Sequence, residues 1–303
     1  IRLIDNALNI YLNKLLETKN EDYVIASDTD SVYITFDGLV NRVFKEGGTP
    51  ERITDYLDKI ASEKLEPFIL KSYSVLAKSM NAYEQKMEMT REVIADKGIW
   101  TAKKRYILNA WDIEGVRYKT PQLKIMGIEA VKSSTPAVCR QKIKDALNII
   151  MTGDEKMLNT FIQDFRDEFM ELEPEDIAYP RSVNGLQKFS SSNGMFAKGA
   201  PIHCKGAILY NHLVKKHKLS NKYPIIQEGD KIKFLHMKQP NIYTSSAFSF
   251  LTSMPRELDI VDRIDYDVQF TKSFVEPLRF ITEKIRWKID DSYGTQGTLE
   301  DFF

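Results

Sequence analysis

Residues 23–36 read YVIASDTDSVYITF, with strand formers on both sides of an Asp28-Thr29-Asp30 tip. The pattern predicts a β-hairpin whose turn is acidic. Carboxylates this close repel each other, and a turn that needed only polarity could use Asn and Gly. Side chains at i and i+2 of an extended chain point the same way, so Asp28 and Asp30 are expected to converge on one site. A rigid tip of oxygen ligands suits Mg²⁺, which keeps open positions for phosphate and water. The plainer reading is an exposed Asp-rich turn, and the three residues alone do not decide between them.

The chain around this hairpin has 303 residues, enough for two domains with cores of their own. Its 43% hydrophobic and 28% charged residues fit a soluble globular protein. No apolar run approaches a membrane span and nothing at the start resembles a signal peptide, so no membrane partner is expected. Cys139 and Cys204 are the only cysteines, which argues against a disulfide scaffold or zinc cluster and for a reducing, cytoplasmic setting. The formal net charge is zero, so any case for nucleic acid must come from local clusters. The sequence begins Ile1-Arg2-Leu3 with no initiator Met, and the expectation is a piece of a longer polypeptide.

Residues 3–17 have apolar positions at helical spacing. Thr49-Pro50 supplies an N-cap and first-turn proline for a second helix, which Pro67 is expected to kink or divide. From about 84 to 118 the pattern predicts strands, including a strand-turn-strand in RYILNAWDIEGVRY. Beyond residue 127 the character shifts. Ser134-Thr135-Pro136 caps a helix, a second runs from about Asp154 to Leu172 with Asp164, Asp167, Glu168 and Glu171 on a solvated face, and 178–200 reads as loop or extended chain. PIIQEGDKIKFLHM predicts two short strands, and VQFTKSFVEPLRFITEKIRW a closing helix. The expected fold is α+β: an antiparallel-sheet part over 1–127, then a mainly helical part with a small β element over 128–303.

Three further clusters carry chemistry. Lys103, Lys104, Arg105 and Tyr106 run in succession, and on a strand they would put cations on both faces. Duplex phosphates would explain that arrangement, as would a lysine-protected edge strand. Residues 196–218 hold five lysines, among them Lys198 and Lys205, with three histidines and no acid. The chain ends TQGTLEDFF, where Gln296, Leu299, Phe302 and Phe303 fit an anchor helix for an external pocket, or fold back on the chain.

The segment SDTDSVYI resembles the palm hairpin of family B DNA polymerases, usually Tyr-Gly-Asp-Thr-Asp-Ser, with Ala26-Ser27 here in place of Tyr-Gly. TAKKRYILNAWDIEGVRY followed by LKIMGIEAVKSSTP resembles the primer-duplex-binding strand and palm-to-thumb junction of tailed-phage replicative members. AKGAPIHCKGAILYN is similar to a thumb segment that contacts the DNA backbone, and the tail is similar to sliding-clamp-binding peptides. The resemblance implies a partial palm over 1–127 and a thumb over 128–303, ending in a clamp-binding peptide at about 296–303. It implies two Mg²⁺ ions bridged by Asp30, with Asp28 assisting, and an acid near them at Glu92. It further implies that Lys103, Lys104, Arg105, Tyr106, Lys132, Ser133, Ser134, Lys198 and Lys205 grip primer-template DNA while dNTP is the substrate. The family's second metal-binding aspartate, fingers helix and proofreading exonuclease have no match here. The expectation is therefore a phage protein of the bacterial host cytoplasm that needs an upstream polymerase portion and is inactive alone. Two other classes fit part of the pattern: a clamp-tethered DNA-binding module without catalysis, and an Asp-x-Asp glycosyltransferase.

Overall fold

The computed structural model describes residues 2–128, 132–191 and 196–290. The chain forms two compact units, Ile1–Met126 and Gly127–Phe303.

The first unit begins with helix α1 (Arg2–Leu15), whose Ile4, Leu8 and Leu12 are buried at i, i+4 and i+8. They pack with Tyr23, Ala61, Leu65, Ile69 and Tyr73. Strands β1 (Val24–Asp28) and β2 (Ser31–Ile34) pair antiparallel as the expected hairpin, with a bulge between Val24 and Ala26. Helix α2 (Asp37–Val43) follows. Helix α3 (Pro50–Ile60) starts as its sequence predicts: Pro50 is at the first position and the Thr49 side chain accepts from Arg52 N.

Pro67 divides the helix rather than ending it. A π-turn over Ala61–Leu65 leads into α4 (Glu66–Ser79), with Pro67 in its first turn, where a missing N–H leaves no hydrogen bond unmade. Residues 83–92 are not strand. The sheet starts at β3 (Val93–Ala102) and continues antiparallel through β4 (Arg105–Ile113) and β5 (Val116–Met126).

The second unit holds α5 (Ala137–Thr152) and α6 (Glu155–Met170), the latter capped by Asp154 accepting from Met157 N. The four acids expected on a solvated face of this segment are exposed. Short α7 (Pro174–Ile177), β6 (Tyr179–Ser182) and α8 (Leu186–Phe189) lead to α9 (Ile202–Lys216). Strands β7 (Lys231–His236) and β8 (Ala247–Phe250) complete an antiparallel sheet in the order β6-β7-β8. Only the second half of PIIQEGDKIKFLHM is strand. Helix α9 lies close on this sheet because Gly206 has no Cβ: one built there would meet Ser249 N at 2.7 Å.

The closing helix is α10 (Tyr266–Phe270), a π-turn over Thr271–Val275 and α11 (Glu276–Thr282). Pro277 is accommodated as Pro67 is, directly after the π-turn. Phe165 and Phe169 of α6 pack edge-on against Phe274 and Phe270 and form an aromatic core. The architecture is the expected α+β, with antiparallel sheets throughout the described residues. Among them no helix is long and apolar enough to cross a membrane.

Candidate functional site

The acidic hairpin closes through a two-residue turn: Asp28 pairs with Ser31, leaving Thr29 and Asp30 between the strands. Thr29 has φ 28°, a strained value for a β-branched residue, so the chain is not extended from 28 to 30. Asp28 and Asp30 therefore flank a turn, and the extended-chain argument for their convergence does not describe it. The Thr29 hydroxyl donates to Asp28 Oδ1 at 3.1 Å, and Ser31 Oγ donates to the Asp28 carbonyl at 3.2 Å. Asp28 is half-buried and Asp30 exposed. Both are hard oxygen donors, as Mg²⁺ requires, and most of a Mg²⁺ coordination shell would have to come from elsewhere. Among the described residues no group of three or more His, Cys, Asp and Glu side chains is placed to hold a metal ion.

The basic segment is also a turn. Ala102 pairs with Arg105, so Lys103 and Lys104 form the exposed two-residue tip between β3 and β4, with Lys104 at φ 60°. Only Arg105 and Tyr106 lie on a strand, β4, where both are half-buried. The tip presents its two lysines outward together, which removes the difficulty of cations on both faces of a sheet.

Aromatic rings join the two hairpins. Tyr33 of β2 meets Trp100 of β3 and Tyr106 of β4 edge-to-face, with centroids 5.3 and 5.4 Å apart. Burial first, then the hydrogen bond with Tyr33, hold the Tyr106 phenol well above its ordinary range. The Glu92 and Asp28 carboxylates add to the same shift, so Asp28, Glu92 and Tyr106 share one electrostatic neighbourhood. Glu92 itself is exposed in front of β3 and ion-paired with Lys124. That partner makes it a poor candidate for a directly bound metal.

In the second unit, Lys132 and Ser134 line a groove of about 300 Å³ with Arg181, His236 and Lys272. Tyr179 and Phe234, stacked 5.1 Å apart, give it an aromatic wall. Glu276, 3.6 Å from Lys272, is the acid lining it, so cations outnumber acids. Burial, and next the Lys272 charge, lower the His236 pKa, while burial followed by Arg181 lowers that of His203. Both imidazoles are neutral near pH 7. Cationic ends, hydroxyls and a helix start suit an anionic oxygen group such as a phosphate. Sequence reasoning found Lys132 and Ser134 but missed Arg181, Lys272 and His236, which come from three distant segments with no local pattern.

Ser133 is exposed beside the groove but does not line it. Lys198 is exposed in the turn before α9, and Lys205 Nζ sits 5.4 Å from the Phe196 ring centroid. Neither lines the groove. Gln296, Leu299, Phe302 and Phe303 lie outside the described residues. Both cysteines are free and buried, and burial raises the Cys139 thiol to about 11, so neither is poised to react at neutral pH.

Comparison with known proteins finds the chain homologous to phage DNA-directed DNA polymerases over 93% or more of its length. It is 33% identical to that of Escherichia phage RB69 over 320 aligned positions, covering the whole chain and 34% of the relative. Against that of Enterobacteria phage T4 it is 32% identical over 299 positions, covering 93% of the chain and 32% of the relative. It thus spans about a third of the length of these relatives. No family model matches the chain.

Proposed function

We propose that this chain supplies the final palm segment and the thumb of a template-directed DNA polymerase, with residues 1–127 as palm and 128–303 as thumb. The observation that carries the proposal is the full-length homology to phage DNA polymerases, supported by an acidic two-residue turn whose carboxylates suit a divalent ion. Asp30 would hold the divalent ions, with Asp28 beside it. When bound, such ions acidify the primer 3′-hydroxyl and stabilise charge on the incoming triphosphate. Glu92 lies at the edge of this site and acts through charge, with Lys124 offsetting it.

The chain's own work is mostly positioning. Lys103 and Lys104 meet duplex phosphates from the tip of β3-β4, while Arg105 and Tyr106 fix the base of that tip. In the second unit Lys132, Ser133, Ser134, Lys198 and Lys205 contact the backbone of the primer-template, joined by Arg181 and Lys272 of the groove. Gln296, Leu299, Phe302 and Phe303 tether the enzyme to a sliding clamp. A further aspartate and the nucleotide-binding residues come from an upstream portion, so the chain alone does not extend primers. A DNA-binding module without catalysis would keep the lysines but give Asp30 no role.

The test is primer extension with Mg²⁺ and dNTPs by the chain alone and mixed with the upstream portion of a polymerase. Activity in the mixture alone, lost on Asp30→Ala, is the expected result. Salt-sensitive DNA binding with no effect of Asp30→Ala on any polymerase activity would favour the module.

A further inference from the structure

Helix α1 grips the acidic hairpin with a line of polar side chains. Asp5, Asn9 and Asn13 are spaced by four and share one face of the helix, beside the buried stripe of Ile4, Leu8 and Leu12. Asn13 Oδ1 accepts from Glu21 N at 2.9 Å, and its amide donates to Glu21 O at 2.8 Å. Asn9 Oδ1 accepts from Tyr23 N at 2.8 Å and Val24 N at 3.2 Å, while its amide donates to Asp22 Oδ1 at 2.8 Å. At the end of the line, Asp5 Oδ2 accepts the Ser27 hydroxyl at 2.9 Å. That last contact is one residue before Asp28.

We infer that Asp5, acting through Ser27, is a positioning residue that fixes the end of β1 from which the acidic turn projects. The inference rests on the metal reading of Asp28 and Asp30 given above. Among the described residues β1 pairs with β2 alone, and a two-stranded ribbon is marginal by itself. The bulge between Val24 and Ala26 interrupts its ladder as well. The α1 side chains therefore supply both the edge hydrogen bonds and the register. Asp5 Oδ1 is buried with no hydrogen-bond partner among the described residues, so the carboxylate's hold on the hairpin runs through Oδ2 and the Ser27 hydroxyl. Ser27 and Asp28 are neighbours on a strand and face opposite sides, so Asp5 holds the strand from behind and is not itself a metal ligand. Ser27 also stands where the polymerase pattern has glycine, which has no hydroxyl to offer.

The experiment is a titration with Mn²⁺ of the full chain combined with the upstream polymerase portion, the free ion followed by electron paramagnetic resonance, with Tm measured for each variant. Asp30→Ala locates the site. Ser27→Ala and Asp5→Ala should each weaken Mn²⁺ binding about five-fold, the scale of one hydrogen bond, and the double variant no more than either. Ser27→Thr, which keeps a hydroxyl, should restore the affinity, and Tm should stay within a few degrees throughout. A site lost on Asp30→Ala but untouched by Ser27→Ala overturns the inference and leaves the metal reading standing. Strictly additive losses overturn the pairing of Asp5 with Ser27. No Mn²⁺ site dependent on Asp30 overturns the metal reading, and the positioning role with it.

Discussion

The acidic and basic turns of the first unit are built alike and secured differently. Each is a two-residue turn between antiparallel strands, and each places a non-glycine residue at positive φ, Thr29 at 28° and Lys104 at 60°. The basic turn ends a three-stranded sheet, which is docked on α3 through ions. There Arg91 Nη2 lies 2.8 Å from Asp58, Arg91 also pairs with fully buried Asp112, and Arg117 Nη1 sits 3.0 Å from Asp112 Oδ2. The acidic turn ends a two-stranded ribbon held by Asp5, Asn9 and Asn13. A wide sheet satisfies its own backbone and needs side chains only to dock. A narrow ribbon needs them for its edge and its register as well.

The largest effect should come from breaking the ionic dock. Asp112→Ala leaves Arg91 and Arg117 without their buried partner and should cost about 3–5 kcal/mol in urea unfolding. A cost below 1 kcal/mol, on the ~0–1 kcal/mol scale of a surface ion pair, would mean the dock is no stronger than one. Next is the polar grip. Asn9→Ala strips the acceptor from Tyr23 N and Val24 N and should cost about 1–3 kcal/mol. If Asn9→Ala proves costlier than Asp112→Ala, the order of the two anchors is reversed.

At the basic tip itself, Lys104→Gly should relieve the positive φ and raise stability by about 1 kcal/mol, measured in the same unfolding assay. It should also weaken primer-template binding and lower the magnitude of the salt slope by about one, as loss of a single phosphate contact does. Unchanged affinity at low salt would take this tip out of the DNA interface.

The smallest effect is on pH, and it separates the two units. All four histidines lie in the second unit, and His236 and His203 are held below the ordinary 6.5 by burial. The unfolded chain takes up protons as pH falls through 6.5, and the folded chain does so only at lower pH. Stability is therefore full above about 6.5 and declines below it. Urea curves at about pH 7.5 and 5.5 should show this decline, and His236→Gln should flatten it. A decline of equal size in His236→Gln would assign it to other groups.

Local chemistry made part of this legible from residues alone. The cap at Thr49-Pro50, the Asp154 start of α6, the hairpin of 23–36 and the α1 stripe all follow from patterns within a few residues. Pro67 was visible as an interruption, but the π-turns that absorb it and Pro277 were not, since they depend on packing along a continuous helix. Lys103-Lys104 was misplaced on a strand because nothing in the letters marks a turn that lacks Gly, Asn or Pro. The polar line of Asp5, Asn9 and Asn13 was missed: its four-residue spacing says which helix face it shares but not which strand it holds. The Arg181 and Lys272 side of the groove was not, because sequence-distant segments meet only in the folded unit.

The most direct test compares the two turns in one assay: single-turnover primer extension by the chain mixed with the upstream polymerase portion, at saturating DNA. With the metal role proposed for Asp30, Asp30→Ala should cut the rate by about a thousand-fold or more with DNA affinity intact. Lys104→Ala should weaken DNA affinity and leave the saturated rate unchanged. A saturated rate that survives Asp30→Ala would contradict the assignment of the acidic turn to catalysis.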